Sequence, residues 1–96
     1  MTAAAKSGCP LQNLPLAFRG AGARSVALAG EFNGWSESTD PMEYDPDLDA
    51  WTITPELPPG PYEYKFLVNG REWRNDPSAP KVPNVWGSEN SYLEVT

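Results

Sequence analysis

Four tryptophans stand in the 96 residues of this chain, and their neighbours sort them into two kinds. Trp51 alternates with Ile53, the spacing of two side chains on one face of a strand, and is read as core. Trp35 follows Glu31-Phe32-Asn33-Gly34, Trp73 lies between Glu72 and Arg74, and Trp86 is flanked by Val85 and Gly87. A large aromatic in such polar turn sequence is less readily buried in full. The chemistry an exposed indole offers is stacking. One face of a pyranose ring presents C–H groups while its hydroxyls lie around the rim, so the ring sheds poorly hydrated surface onto an aromatic plane. Stacking of a planar ligand is worth ~1–3 kcal/mol per aromatic. Asn and Lys at the rim donate to hydroxyl oxygens without burying an ion pair. The alternative for any one of these indoles is that it plugs an edge of a small core.

Catalytic chemistry finds little to work with. There is no histidine, which removes the commonest general acid–base and metal ligand and every triad built on Ser-His or Cys-His. The glycines near Gly20 and Gly22 lack the spacing and the following helix of a phosphate loop. Asp45, Asp47 and Asp49 resemble a carboxylate set for glycoside hydrolysis, but such a pair needs a cleft to hold one acid protonated, and these fall in an exposed turn. With Glu56 the same acids match positions 1, 3, 5 and 12 of a calcium loop. Ala50 stands where that loop requires glycine, Pro55 sits beside the last ligand, and no helices flank it. No catalytic residue, metal or cofactor is assigned.

The elements that must position the tryptophans are strands. Eight glycines and eleven prolines punctuate the chain, in the manner of an all-β domain, and helical periodicity is absent. Leu14, Leu16 and Phe18 alternate in a first strand. Val26 and Leu28 centre a second that ends at Gly30, after which Asn33-Gly34 turns the chain. A strand at Met42 to Asp45 and another at Ala50 to Thr54 form a hairpin around Pro46-Asp47-Leu48-Asp49. In the strongest strand, Tyr62, Tyr64, Phe66 and Val68 alternate with Glu63, Lys65 and Leu67. Asn69-Gly70 turns it back through Glu72 and Trp73, residues 75–88 are predicted irregular, and Ser91 to Val95 forms the last strand. About seven short antiparallel strands fit an immunoglobulin-like β-sandwich.

The turn at Asn69-Gly70 decides which face Trp73 occupies. A two-residue loop pairs Phe66 with Trp73 and makes the indole core filler. A loop one residue longer shifts the register and sets Trp73 opposite Leu67 or Lys65. Tyr62, Tyr64, Phe66 and Val68 already supply a core face, so the longer or bulged loop is expected, with Trp73 partly exposed near Lys65.

The length suits one domain. Residues 1–13 have no pattern and read as a flexible tail, with the domain at 14–96. Thirteen acidic against seven basic residues give a net charge of −6, which repels a phosphate backbone and suits a neutral polymer. No apolar run approaches the roughly 20 residues of a membrane span, and the first fifteen residues lack a signal-peptide core. Cys9 is the single cysteine, so no intrachain disulfide forms. A cytoplasmic location is expected, with no nucleic-acid or membrane partner.

Four stretches carry a resemblance: SVALAGEFNGW from Ser25 to Trp35, PYEYKF from Pro61 to Phe66, VNGREWRNDP from Val68 to Pro77, and GSEN from Gly87 to Asn90. In this order and spacing the chain resembles the glycogen-binding module family, found in AMP-activated protein kinase β subunits and at the N-termini of isoamylases and glycogen branching enzymes. The resemblance implies an early-set member of the immunoglobulin-like sandwiches that binds α-1,4-linked glucan without catalysis. It further implies Trp35 and Trp73 as stacking platforms, Lys65 as donor to sugar hydroxyls and Asn90 as a second polar contact. Trp86 stands where the kinase module has a leucine beside the sugar chain, and is expected to add a third platform or reshape the loop. One additional residue separates the Asn-Gly turn from Trp73. The implied partner is an α-glucan such as glycogen, starch or a cyclodextrin, and a glucan-active enzyme as a second. A competing reading is a structural or protein-interaction domain that binds no sugar.

Overall fold

Apolar alternation in the longest strand organises the fold. The computed structural model describes residues 11–20 and 22–96. Ten short strands run through the described residues: β1 (Gln12–Asn13), β2 (Leu16–Phe18), β3 (Val26–Gly30), β4 (Glu43–Asp45), β5 (Ala50–Ile53), β6 (Glu56–Leu57), β7 (Gly60–Val68), β8 (Glu72–Arg74), β9 (Lys81–Pro83) and β10 (Glu89–Val95). A single 3-10 turn covers Glu31–Asn33. No helix among the described residues is long and apolar enough to cross a membrane.

All pairings are antiparallel. One sheet has the order β3-β7-β10-β9, with β8 also paired to β7, and a second has the order β2-β5-β4. β3 pairs with β7 from Val26↔Val68 to Gly30↔Tyr64, while β8 takes Phe66 to Val68 and β10 takes Gly60 to Tyr64. β8 and β10 therefore lie end to end along the same edge of β7, opposite β3. The two sheets face each other across Phe18, Val26, Leu28, Met42, Tyr64, Phe66 and Val68, all buried, with Leu16, Trp51, Ile53 and Leu93 packed against them. Phe66 is fully buried, its ring 5.1 Å from that of Phe18 and 5.9 Å from that of Tyr64. The chain forms the expected all-β, immunoglobulin-like sandwich.

Several details differ from the sequence reading. Just ahead of the boundary expected at Leu14, Gln12 and Asn13 pair with Leu57 and Glu56. The rest of the expected tail, 1–10 with Cys9, lies outside the described residues. Residues 75–88 are not wholly irregular: Lys81–Pro83 pairs with β10. Pro83 is tolerated because β9 is an edge strand whose missing donor faces no partner. Trp51 occupies the expected face but is only partly buried, since only the edge strand β4 lies beyond it and Tyr44 covers it edge-on.

A polar hub inside the core holds the 75–80 segment. The carboxylate of Asp76, a residue 4% exposed, accepts from the Tyr64 hydroxyl at 2.7 Å, Ser78 N–H at 3.0 Å and the Ser78 hydroxyl at 2.7 Å. Its own N–H donates to Ser91 Oγ at 2.7 Å, and Ser91 Oγ donates to Asn75 Oδ1 at 2.9 Å. Among the described residues no buried side-chain polar atom lacks a partner, as a low-dielectric interior requires.

Burial first, and then the bond to Asp76, push the Tyr64 hydroxyl far above its ordinary titration range. Between the two values the unfolded chain has released this proton and the folded chain still holds it. This group's contribution to stability is therefore complete below about pH 10 and is lost as pH rises further. Thermal melts from pH 8 to 11 should show Tm dropping above pH 10 and a shallower drop in Tyr64→Phe; equal slopes in the two proteins would refute the assignment.

Candidate functional site

Parity along β7 turns Glu63, Lys65 and Leu67 away from the core. On the same outer face Ala29 lies opposite Lys65, and Ala27 and Trp73 flank Leu67. Ala27 and Ala29 are small, which leaves room above the sheet for larger side chains arriving from loops. Three turns deliver them, and each is pinned by an asparagine.

The first turn follows β3. Asn33 Oδ1 accepts from Gly30 N–H at 3.1 Å and Ser36 N–H at 3.2 Å, while its Nδ2 donates to Leu28 O at 3.0 Å and Asp40 Oδ2 at 2.7 Å. Trp35 N–H donates to Gly30 O at 2.8 Å. Held in this way, Trp35 adopts φ 60°, a left-handed conformation costing a bulky residue on the order of 1–2 kcal/mol. Gly30 is required because a Cβ would meet Glu63 O and the Phe32 ring, each at 2.7 Å.

The second turn carries Trp73. Asn69 and Gly70 both have positive φ, and Arg71 N–H bonds to Val68 O at 3.1 Å, but Val68 pairs with Glu72. Arg71 is thus the extra residue of a bulged turn, and the register sets Trp73 opposite Leu67 on the outer face, 41% exposed. This is the odd register expected from the sequence. Asn69 Oδ1 accepts from Arg24 N–H at 2.7 Å and Ser25 N–H at 3.2 Å, tying the turn to the start of β3.

The third turn joins β9 to β10. Asn84 Oδ1 accepts from Trp86 N–H and Ser88 N–H, both at 3.0 Å, in the Asx manner. Asn84 Nδ2 donates to Ser88 Oγ and to Asn90 Oδ1, both at 2.9 Å. Trp86 stands at the tip, 84% exposed. Asn90 is buried, and its Nδ2 donates to Glu63 Oε1 at 2.9 Å. Each polar atom of Asn90 is engaged once within the protein, leaving one N–H and one lone pair.

Trp35, Lys65, Trp73, Trp86 and Asn90 all line one open groove of about 500 Å³, together with Asn84 and Ser88. The five residues singled out from sequence are brought together. Asn84, Ser88, Glu63 and the pinning role of Asn33 were missed; the polar run around Trp86 was the available signal for Asn84. The ion pair found among the described residues is Arg74–Glu72, both exposed, so the Lys65 ammonium enters the groove without a carboxylate partner there. The groove offers indole planes, one cation and neutral donors and acceptors. It contains no acid pair and no nucleophile beside a base, and among the described residues no cluster of three metal-ligating side chains occurs.

Asn33→Ala should release Trp35 from its left-handed turn. The lost bonds cost about 1–3 kcal/mol of stability, and affinity for β-cyclodextrin should fall at least tenfold. Calorimetry on the folded variant checks this; unchanged affinity would show that Asn33 does not hold the platform.

Residues 13–96 match the family described as the glycogen recognition site of AMP-activated protein kinase. The mouse 5'-AMP-activated protein kinase subunit beta-1 is 34% identical over 92 residues, covering 95% of this chain and 32% of the relative. The pig protein of the same name is 35% identical over 85 residues, covering 88% of this chain and 66% of the relative. Protein FLOURY ENDOSPERM 6, chloroplastic, from rice is 45% identical over 74 residues, covering 77% of this chain and 13% of the relative. The chain thus spans about a third of the mouse relative. On this match, which takes in every strand but the first of the sandwich, the chain belongs to the family of glycogen recognition modules.

Proposed function

We propose that the groove binds a single chain of α-1,4-linked glucan, with Trp35, Trp73 and Trp86 as stacking platforms, Lys65 donating to hydroxyl oxygens, and Asn84, Ser88 and Asn90 shaping the rim. The observation that carries this reading is the convergence of three indoles, two of them 41% and 84% exposed, with an ammonium on one face of one sheet. Exposed indoles are costly in water unless a ligand covers them. The family's description as a glycogen recognition site supports the same ligand class. The role is binding without catalysis, in keeping with a groove that holds no acid–base pair. The kinase subunits among the relatives support a module that tethers a larger assembly to glucan. A cytoplasmic setting completes the reading for this chain; the rice relative is chloroplastic by name.

Two or three stacked rings less the cost of association give a dissociation constant of roughly micromolar to millimolar, or about 8 to 4 kcal/mol. Titration with β-cyclodextrin should change tryptophan emission with one midpoint in that range. Unchanged emission together with no heat at millimolar ligand overturns the proposal.

A further inference from the structure

A second aromatic cavity opens at the edge of the smaller sheet. Phe18, Trp51 and Tyr44 are paired across β2, β5 and β4 on one face, and exposure rises along that row from buried Phe18 through half-buried Trp51 to Tyr44 at 48%. The Tyr44 and Trp51 rings meet edge to face at 5.6 Å and 61°. Tyr44 Oη donates to Asp49 Oδ1 at 2.5 Å, which fixes the phenol ring. Tyr44, Trp51 and Asp49, with Ala23 and the exposed Arg19, line an open cavity of about 520 Å³, matching the groove over the other sheet in size.

We propose that this cavity is a second, independent glucan subsite, in which a pyranose ring stacks on the Tyr44–Trp51 pair and its hydroxyls bond to Asp49 and Arg19. The inference rests on the glucan reading of the first groove. Three features favour a sugar. The aromatic surface is open and held in place before any ligand arrives. Asp49 supplies an acceptor and Arg19 donors, the mixture a vicinal diol needs. Carboxylate and guanidinium cancel in charge, which suits a neutral ligand and favours neither an anion nor a cation. The first groove lies on the outer face of the larger sheet and this one at the open edge of the smaller, so one ring cannot fill both. On a polymer bearing many chains, two weak sites on different sides of one module make the second contact intramolecular and raise retention without tighter individual binding.

The four indole N–H signals of the 15N-labelled 96-residue chain report both sites separately, with assignments from single Trp→Phe variants. On titration with maltoheptaose, Trp35, Trp73 and Trp86 should shift on one curve and Trp51 on another with its own midpoint. The Trp51 shift should persist in Trp35→Ala/Trp73→Ala and vanish in Tyr44→Ala, whose remaining indoles keep the wild-type curve. A Trp51 signal that stays fixed while the other three move overturns the second site and leaves the first standing. A Trp51 shift that disappears in the double variant also overturns it, as an echo of the groove. No shift at any indole removes the glucan reading itself, and this proposal with it.

Discussion

Asp76→Ala should lower Tm by more than about 12 °C, at roughly 4–8 °C per kcal/mol for a domain of this size. The carboxylate is buried and takes three hydrogen bonds. Its removal strands the buried Tyr64 hydroxyl, at about 1–3 kcal/mol, and takes away the two bonds that hold exposed Ser78 in the turn, at about 0.5–1.5 kcal/mol each. A loss of about 3 kcal/mol or more is a large share of the ~5–14 kcal/mol that a chain of this length commands. Tyr64→Phe removes the hydroxyl together with its need for a partner, so its cost should be smaller. Calorimetric melts of both variants and of the double variant measure the coupling. A melt of Asp76→Ala within a few degrees of wild type would show that the hub is not what holds the 75–80 segment to β7 and β10.

The second large effect is on binding. Trp35→Ala and Trp73→Ala should each weaken maltoheptaose binding by about 1–3 kcal/mol, and the double variant should lose it from the measurable range. The fold should survive, because both side chains lie on the outer face and neither belongs to the core cluster. Trp73, at 41% exposure, should leave Tm within a few degrees. Isothermal titration beside thermal melts separates the outcomes. Retained affinity in the double variant would place the ligand elsewhere, and a collapsed melt for Trp73→Ala would make that indole a structural plug.

The sequence made the fold legible where side-chain period and partner burial agree. Tyr64, Phe66 and Val68 alternate and are all buried, so β7 and its face could be read directly. The short strands escaped for a different reason. Gln12–Asn13 and Glu56–Leu57 are two residues each and pair with one another, so neither carries a period of its own. Lys81–Pro83 is a strand because β10 lies beside it, a tertiary fact that overrides the local signal of proline. Within the groove, the indoles and Lys65 were legible from residue type and resemblance, and the register of Trp73 from loop parity. Asn84 was not, since its importance lies in four hydrogen bonds, to Trp86, Ser88 and Asn90, which no spacing rule encodes. Trp51 was read as core on parity, which gives the face and not how much covers it.

The asparagine pins also set a chemical lifetime for the groove. Asn33 and Asn69 are each followed by glycine, the neighbour that least hinders attack of the next backbone nitrogen on the side-chain carbonyl. Ring closure expels ammonia, and water then opens the succinimide to aspartate or isoaspartate. At Asn33 the product puts a carboxylate where an amide now donates to Asp40 Oδ2 across 2.7 Å, so attraction becomes repulsion beneath Trp35. At Asn69 an aspartate keeps the two bonds that Oδ1 now accepts, but an isoaspartate lengthens the backbone at the turn that sets the Trp73 register. Asn84 precedes Val85, whose branched side chain slows the same reaction. On the proposed glucan reading, stored protein would lose its hold on Trp35 and Trp73 in proportion to its deamidated fraction and keep Trp86 longest, so that the age of a preparation becomes a variable of its affinity.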